Sequence, residues 1–156
     1  FTENGVMNEK EIHARHEIQL EDYQKRIQIE SRILGDLSGN HIIPTAIRYQ
    51  NTLIENVQRL KDLLEPEVYR KVAKEQLEMI TEISERISTI IAEKEAMVEA
   101  RKKANKIEDT RQRALAYCND VRPYFDRIRY EVDKLELLID DEQWPLPKYR
   151  EMLFTR

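Results

Sequence analysis

Apolar residues recur every three to four positions along most of this chain, the spacing of helices packed on one face. The first such segment covers residues 8–38. Asn8 is a good cap, and Glu11 three residues on completes a capping box, with Met7 and Ile12 placed to staple across it. The stripe runs Ile12, Leu20, Tyr23, Ile27, Leu34 and Leu37, and Ile29 and Ile33 widen it. Glu11 and Arg15, Glu21 and Lys25, and Asp22 and Arg26 are spaced for i,i+4 pairs, each adding about 0.2–0.5 kcal/mol to an isolated helix.

Gly39, Asn40 and Pro44 then mark a joint. Gly39 and Asn40 tolerate left-handed backbone angles at a helix end, and proline suits the first turn of the next helix. A kink between two helices is expected here. The second helix, 44–64, presents Ile47, Ile54, Val57, Leu60 and Leu64, and Glu65-Pro66 reads as a stop and restart. The third, 66–104, has no internal Gly or Pro. Its seam alternates by four and three through Ala73, Gln76, Ile80, Ile83, Ile87, Ile90, Lys94, Met97, Arg101 and Ala104. One helix of that length spans about 58 Å, so its distal part is expected to project as an arm.

A short link leads to Asp109, a cap with Gln112 at the third position. The fourth helix, 109–140, continues the alternation through Ala114, Cys118, Val121, Phe125, Ile128, Val132, Leu135 and Ile139. Pro123 is expected to bend or divide it. So short a link predicts antiparallel packing of the third and fourth helices. In the tail, 141–156, Trp144, Leu146, Tyr149, Leu153 and Phe154 are too apolar to hang free, and a short helical turn from Pro147 is expected. The pattern predicts an all-α fold. It is an antiparallel bundle of three to four long helices in one domain over 1–156, with a projecting helical hairpin and a short C-terminal helical turn.

Composition narrows the partners. Three glycines, five prolines and 36% charged residues favour long helices over a sheet. A net charge of -4 argues against a general nucleic-acid binder. No apolar run approaches the roughly 20 residues that cross a bilayer, and there is no signal-peptide pattern. One cysteine, Cys118, allows no internal disulfide and fits a reducing cytoplasm. The chain begins at Phe1 rather than Met and reads as a piece cut from a longer protein.

Candidate chemistry is sparse. His13 and His16, three apart with Glu17 beside them, have a spacing that can hold a metal. No third ligand is fixed by sequence, and two polar surface histidines are the favoured reading. His41 at the joint is read as helping to end a helix, and Cys118, on the apolar stripe, as a small core residue. Arg101, Lys102, Lys103, Lys106, Arg111 and Arg113 gather at the hairpin tip, where they could meet a phosphate, an acidic loop or RNA. A solvated tip whose cations suit a helix C-terminus is favoured. Tyr117, Tyr124, Phe125, Tyr130 and Trp144 have the spacing of core packing. No Gly-rich phosphate loop, G-x-S-x-G or paired-cysteine zinc motif appears. No catalytic, cofactor-binding or metal residue is assigned. The expected partner contacts are Arg101, Lys102, Lys103, Lys106, Trp144, Tyr149 and Phe154.

Longer phrases carry a resemblance. They run Glu11-Ile12-His13-Ala14-Arg15-His16-Glu17-Ile18, then Gly39-Asn40-His41-Ile42-Ile43-Pro44-Thr45-Ala46-Ile47-Arg48-Tyr49-Gln50-Asn51-Thr52. Ala100-Arg101-Lys102-Lys103-Ala104-Asn105-Lys106-Ile107-Glu108-Asp109-Thr110-Arg111 follows, and Trp144-Pro145-Leu146-Pro147-Lys148-Tyr149-Arg150-Glu151-Met152-Leu153-Phe154 closes. The chain resembles the region after the catalytic core of type III glutamine synthetases. That resemblance implies a C-terminal domain of an oligomeric enzyme joining ammonia to glutamate, with ATP and Mg or Mn bound elsewhere in the parent. It implies no complete active site and no cofactor in this stretch. It also implies a structural or assembly role against the catalytic domain of the same chain and neighbouring subunits; on the charge and apolar runs above, no nucleic acid and no membrane are expected as partners. A regulatory effector-binding module is the second reading, and a free-standing coiled-coil scaffold the third.

Overall fold

A computed structural model describes residues 5–153. The elements are α1 (Glu9–Leu37), a π-helical turn π1 (Ser38–Ile42), α2 (Ile43–Leu63), α3 (Pro66–Val72) and α4 (Lys74–Ala104). After them come α5 (Thr110–Ala116), a second π-helical turn π2 (Tyr117–Val121), α6 (Pro123–Leu138) and α7 (Tyr149–Met152). No strand occurs among the described residues, so the fold is all-α.

Local chemistry sets several boundaries. Asn8 and Glu11 close the capping box: Asn8 N–H donates to Glu11 Oε2 at 2.8 Å, and Glu11 N–H to Asn8 Oδ1 at 2.9 Å. Asp109 Oδ1 accepts from Gln112 N–H at 2.7 Å and starts α5. Leu64 and Glu65 are extended, with ψ of 149° and 145°, and Pro66 opens α3 without sacrificing a hydrogen bond.

Pro44 sits in the first turn of α2 and Pro123 opens α6, as the sequence led one to expect, and a π-turn precedes each. Residues 38–42 form a π-turn and not a break, so α1, π1 and α2 make one helical run from Glu9 to Leu63. Gly39 and Asn40 do not take left-handed angles. The positive φ values among the described residues are confined to Gly5. Pro123 likewise follows a π-turn inside a continuing helix. In both places the residue before the proline donates its N–H five residues back, Ile43 to Ser38 O and Arg122 to Tyr117 O. In an α-helix the proline ring would crowd the carbonyl four residues back. The wider π-turn gives that ring room and leaves helical bonding intact on either side. Where one helix is expected over 66–104, Ala73, fully buried with ψ near -10°, separates α3 from α4.

The chain packs as two compact units. The first comprises the described residues up to Leu34 together with Lys94–Asp126. Its core holds Ile27, Met97, Ala104, Ala114, Tyr117 and Val121. Tyr117 donates its hydroxyl to Asn105 Oδ1 at 2.7 Å, and Arg113 Nε donates to Gln24 Oε1 at 2.7 Å, fixing α5 to α1.

The second unit comprises Gly35–Glu93 with the described residues from Arg127 onward. Ile42, Ile43, Ala46, Val57, Ala73, Ile83, Ile87, Ile90, Ile128, Val132, Leu135 and Ile139 form its core. Gln50 donates to Ile80 O at 2.8 Å, and Asn56 to Gln76 at 2.7 Å. Position rises on α2 as it falls on α4, so the two are antiparallel. Arg86 binds Glu131 at 2.8 Å, and Arg127 lies 3.5 Å from Glu93, which makes α4 and α6 antiparallel too.

The expected stripes need correction on the first two helices. Ile29 and Ile33 stand out in solvent, and Ile47 and Ile54 are over two-fifths exposed. Tyr130, expected in the core, is also exposed.

Candidate functional site

His13, His16 and Glu17 share one side of α1. The loop into α5 brings Glu108, Asp109, Thr110 and Arg111 beside them, and with Leu20 they line an open cleft of about 500 Å³. Both histidines are exposed. Among the described residues no three His, Cys, Asp or Glu side chains gather closely enough to hold a metal ion. Asp109 is also occupied in capping α5. His41 is exposed within π1 and ends no helix.

The basic cluster divides by use. Arg113 is turned inward onto Gln24. Arg101 is half-buried. Lys102 pairs with Glu99 at 2.7 Å, which pulls the Glu99 carboxyl below its usual range. Lys103, Lys106 and Arg111 stay exposed.

Burial raises the Tyr117 hydroxyl above its ordinary pKa, against the opposing pull of Arg101, Arg32 and Arg113 and the bond to Asn105. Tyr23 is raised chiefly by burial, then by the Cys118 thiol beside it. Its hydroxyl closes no hydrogen bond of ordinary geometry, so desolvation leads. Cys118 is half-buried on the helix seam, a packing position.

The tail docks through a residue that sequence reading passed over. Lys148 donates its ammonium to Glu136 O at 2.8 Å, reaches Ile139 O at 3.4 Å and pairs with Asp141. Those carbonyls lie at the end of α6, where backbone acceptors lack helical partners and a cation is favoured. The same ammonium lies 5.9 Å from the centre of the Trp144 ring. No sequence signal announces such a clamp, because it depends on how the tail turns back after Pro145 and Pro147. Trp144 is only 8% exposed. Its ring is therefore spent inside the chain, which leaves little of it for an outside contact. Tyr149 begins α7, and Phe154 lies outside the described residues.

In the second unit Tyr49, Leu53, Asn56, Arg59, Gln76 and Met79 border a shallow groove of about 460 Å³ between α2 and α4. Asn56 and Gln76 are bonded to each other across it. No described helix is long and apolar enough to cross a membrane.

Residues 1–61 match the family model described as the glutamine synthetase C-terminal domain. A glutamine synthetase of Bacteroides fragilis (strain YCH46) is 50% identical over 151 residues, covering 97% of this chain and 21% of the relative. A type-3 glutamine synthetase of Dictyostelium discoideum is 26% identical over all of this chain and 21% of its own length. A glutamine synthetase of Butyrivibrio fibrisolvens is 28% identical over 99% of this chain and 22% of its own. The chain thus spans about a fifth of the length of these curated relatives. In its first two long helices the chain is similar to the glutamine synthetase C-terminal domain, and along nearly its whole length it is similar to these glutamine synthetases.

Proposed function

We propose that this chain is a structural and assembly module of a longer cytoplasmic glutamine synthetase polypeptide. In that enzyme ammonia is joined to glutamate with ATP and Mg or Mn, at a site outside these residues. The module braces the catalytic domain of its own chain or the neighbouring subunits of a homo-oligomer. The observation that carries this reading is the 50% identity along 97% of the chain to a glutamine synthetase five times its length. The side chains support it. Buried apolar residues pack helix on helix, and the half-buried Arg86, Arg113 and Lys148 tie elements together.

The test has two arms. The chain alone, supplied with glutamate, ammonia, ATP and Mg, is expected to make no glutamine above background. Deleting this stretch from the intact polypeptide is expected to break up the oligomer. Turnover by the chain alone, or an unchanged oligomer after deletion, contradicts the reading.

A regulatory reading is favoured by one observation, the exposed Lys103, Lys106 and Arg111 at the α4–α5 connection. Charge reversal at Arg101, Lys102 and Lys103 in the intact enzyme separates the two. Lost regulation with normal assembly supports the regulatory reading, and broken oligomers support the assembly reading. A free-standing parallel coiled coil fits poorly, because the α4 seam is filled by α2 and α6 of the same chain.

A further inference from the structure

Helix α1 carries exposed isoleucines on the side opposite its buried stripe. Its inner side carries Ile27, buried, with Leu20, Tyr23 and Leu34 half-buried. Its outer side carries Ile18, Ile29 and Ile33, which stand 59%, 57% and 52% exposed. At about 100° per residue these three fall within an arc of about 60°, on the far side of the helix from Ile27, and extend about 22 Å along its axis. All three belong to the first unit.

Isoleucine is a poor choice for a solvated helix face. Its branched β-carbon lowers helix propensity, and more than half of each side chain meets only water. Ile29 and Ile33, one turn apart, make an exposed apolar pair on a helix whose other side is already packed, which is the mark of a second contact. Asp22 shares the arc between Ile18 and Ile29, and Lys25, Arg26 and Glu30 are exposed beside it, so charged residues both interrupt and flank the isoleucines.

What covers the row follows from length. The chain spans 21% of its Bacteroides relative, so most of a glutamine synthetase polypeptide lies outside the stretch it matches. Ile18, Ile29 and Ile33 fall within residues 1–61, the part that matches the C-terminal domain family, as do the exposed Val6, Ile47 and Ile54, whereas the exposed Leu115, Tyr130 and Leu137 do not. We propose that the Ile18–Ile29–Ile33 face of α1 is where this module docks onto the remainder of its own glutamine synthetase polypeptide. This rests on the assembly reading above and names its surface.

The experiment compares Ile29→Lys with Ile33→Lys, as one double variant, in the intact polypeptide and in the 156-residue chain. In the intact polypeptide the double variant is expected to release subunits in sedimentation and to melt several degrees earlier. Tyr130→Lys, an exposed residue outside the family segment, is expected to leave both unchanged. In the chain alone the double variant is expected to leave helicity and melting unchanged, because the row faces solvent there. Four results overturn the proposal. They are unchanged sedimentation and melting of the intact double variant, an equal loss with Tyr130→Lys, lost helicity of the double variant in the chain alone, and self-association of the chain through this row. The first of these leaves the assembly reading standing, since that fails only if deleting the whole stretch leaves the oligomer intact.

Discussion

At Pro44 the residues six and two places earlier are Ser38 and Ile42; at Pro123 they are Tyr117 and Val121. All four are at most 2% exposed. Both prolines therefore follow a π-turn of the same length, entered and left by buried side chains, with the same five-residue hydrogen bond closing it. The anchors differ in kind. At the first junction the core beyond the proline continues in small residues, Thr45 and Ala46, and Thr45 Oγ1 accepts from Arg48 at 2.7 Å. At the second, one large aromatic does most of the filling, and its hydroxyl reaches across to Asn105. Packing on buried residues before the proline thus holds the turn, and the proline is accommodated by it. One junction spreads that packing over several small contacts, and the other concentrates it in Tyr117.

If so, the second junction is the more fragile to a single change. Tyr117→Ala is expected to cost about 3–5 kcal/mol, the range for removing a buried aromatic, seen as a lower midpoint in urea unfolding. Ile42→Ala at the first junction should cost less, about 2–4 kcal/mol, since its neighbours share the load. A larger loss at Ile42 than at Tyr117 would break the comparison.

Tyr117→Phe keeps the ring and removes the bond to Asn105, at a cost of about 0.5–1.5 kcal/mol. It also carries a pH signature. Burial holds the Tyr117 hydroxyl above its ordinary pKa of 10.0 in the folded chain. Folding thereby favours the protonated form. Its contribution is whole below the unfolded pKa and is lost as pH rises through the folded one. Unfolding measured from neutral to strongly alkaline pH should show a smaller alkaline loss for Tyr117→Phe than for the parent chain. Equal losses would mean that Tyr117 is not the group responsible.

The smallest effects are expected at the prolines themselves. Pro44→Ala and Pro123→Ala should each change stability by less than about 1 kcal/mol, the scale of proline's effect on the unfolded chain. Both should leave helicity unchanged, as circular dichroism will report.

Much of the fold was legible because burial follows a simple period. The seam from Ala73 to Ala104 and that from Ala114 to Ile139 are buried or half-buried at every position named. Both caps, at Asn8 and Asp109, carry the bonds their spacing implies. The joint at residues 39–44 was legible, but its form was not, because Gly and Asn favour a helix end only when nothing overrides them. Here Ser38 and Ile42 are buried more fully than a break would allow, and a π-turn keeps them so. The outward Ile29 and Ile33 were misread for a different reason. Periodicity shows that a residue is apolar, and not whether its partner lies in the same stretch of chain. Tail docking was legible in Trp144. The lysine that fastens it was not, because Lys148 acts through backbone carbonyls that carry no sequence signal.

Amide hydrogen exchange through Glu9–Leu63 tests most directly the claim that proline is housed inside a continuous helix. The account predicts slow exchange at Ile42 and Ile43, comparable with the flanking turns of α1 and α2. Fast, loop-like exchange confined to residues 39–43 would contradict it.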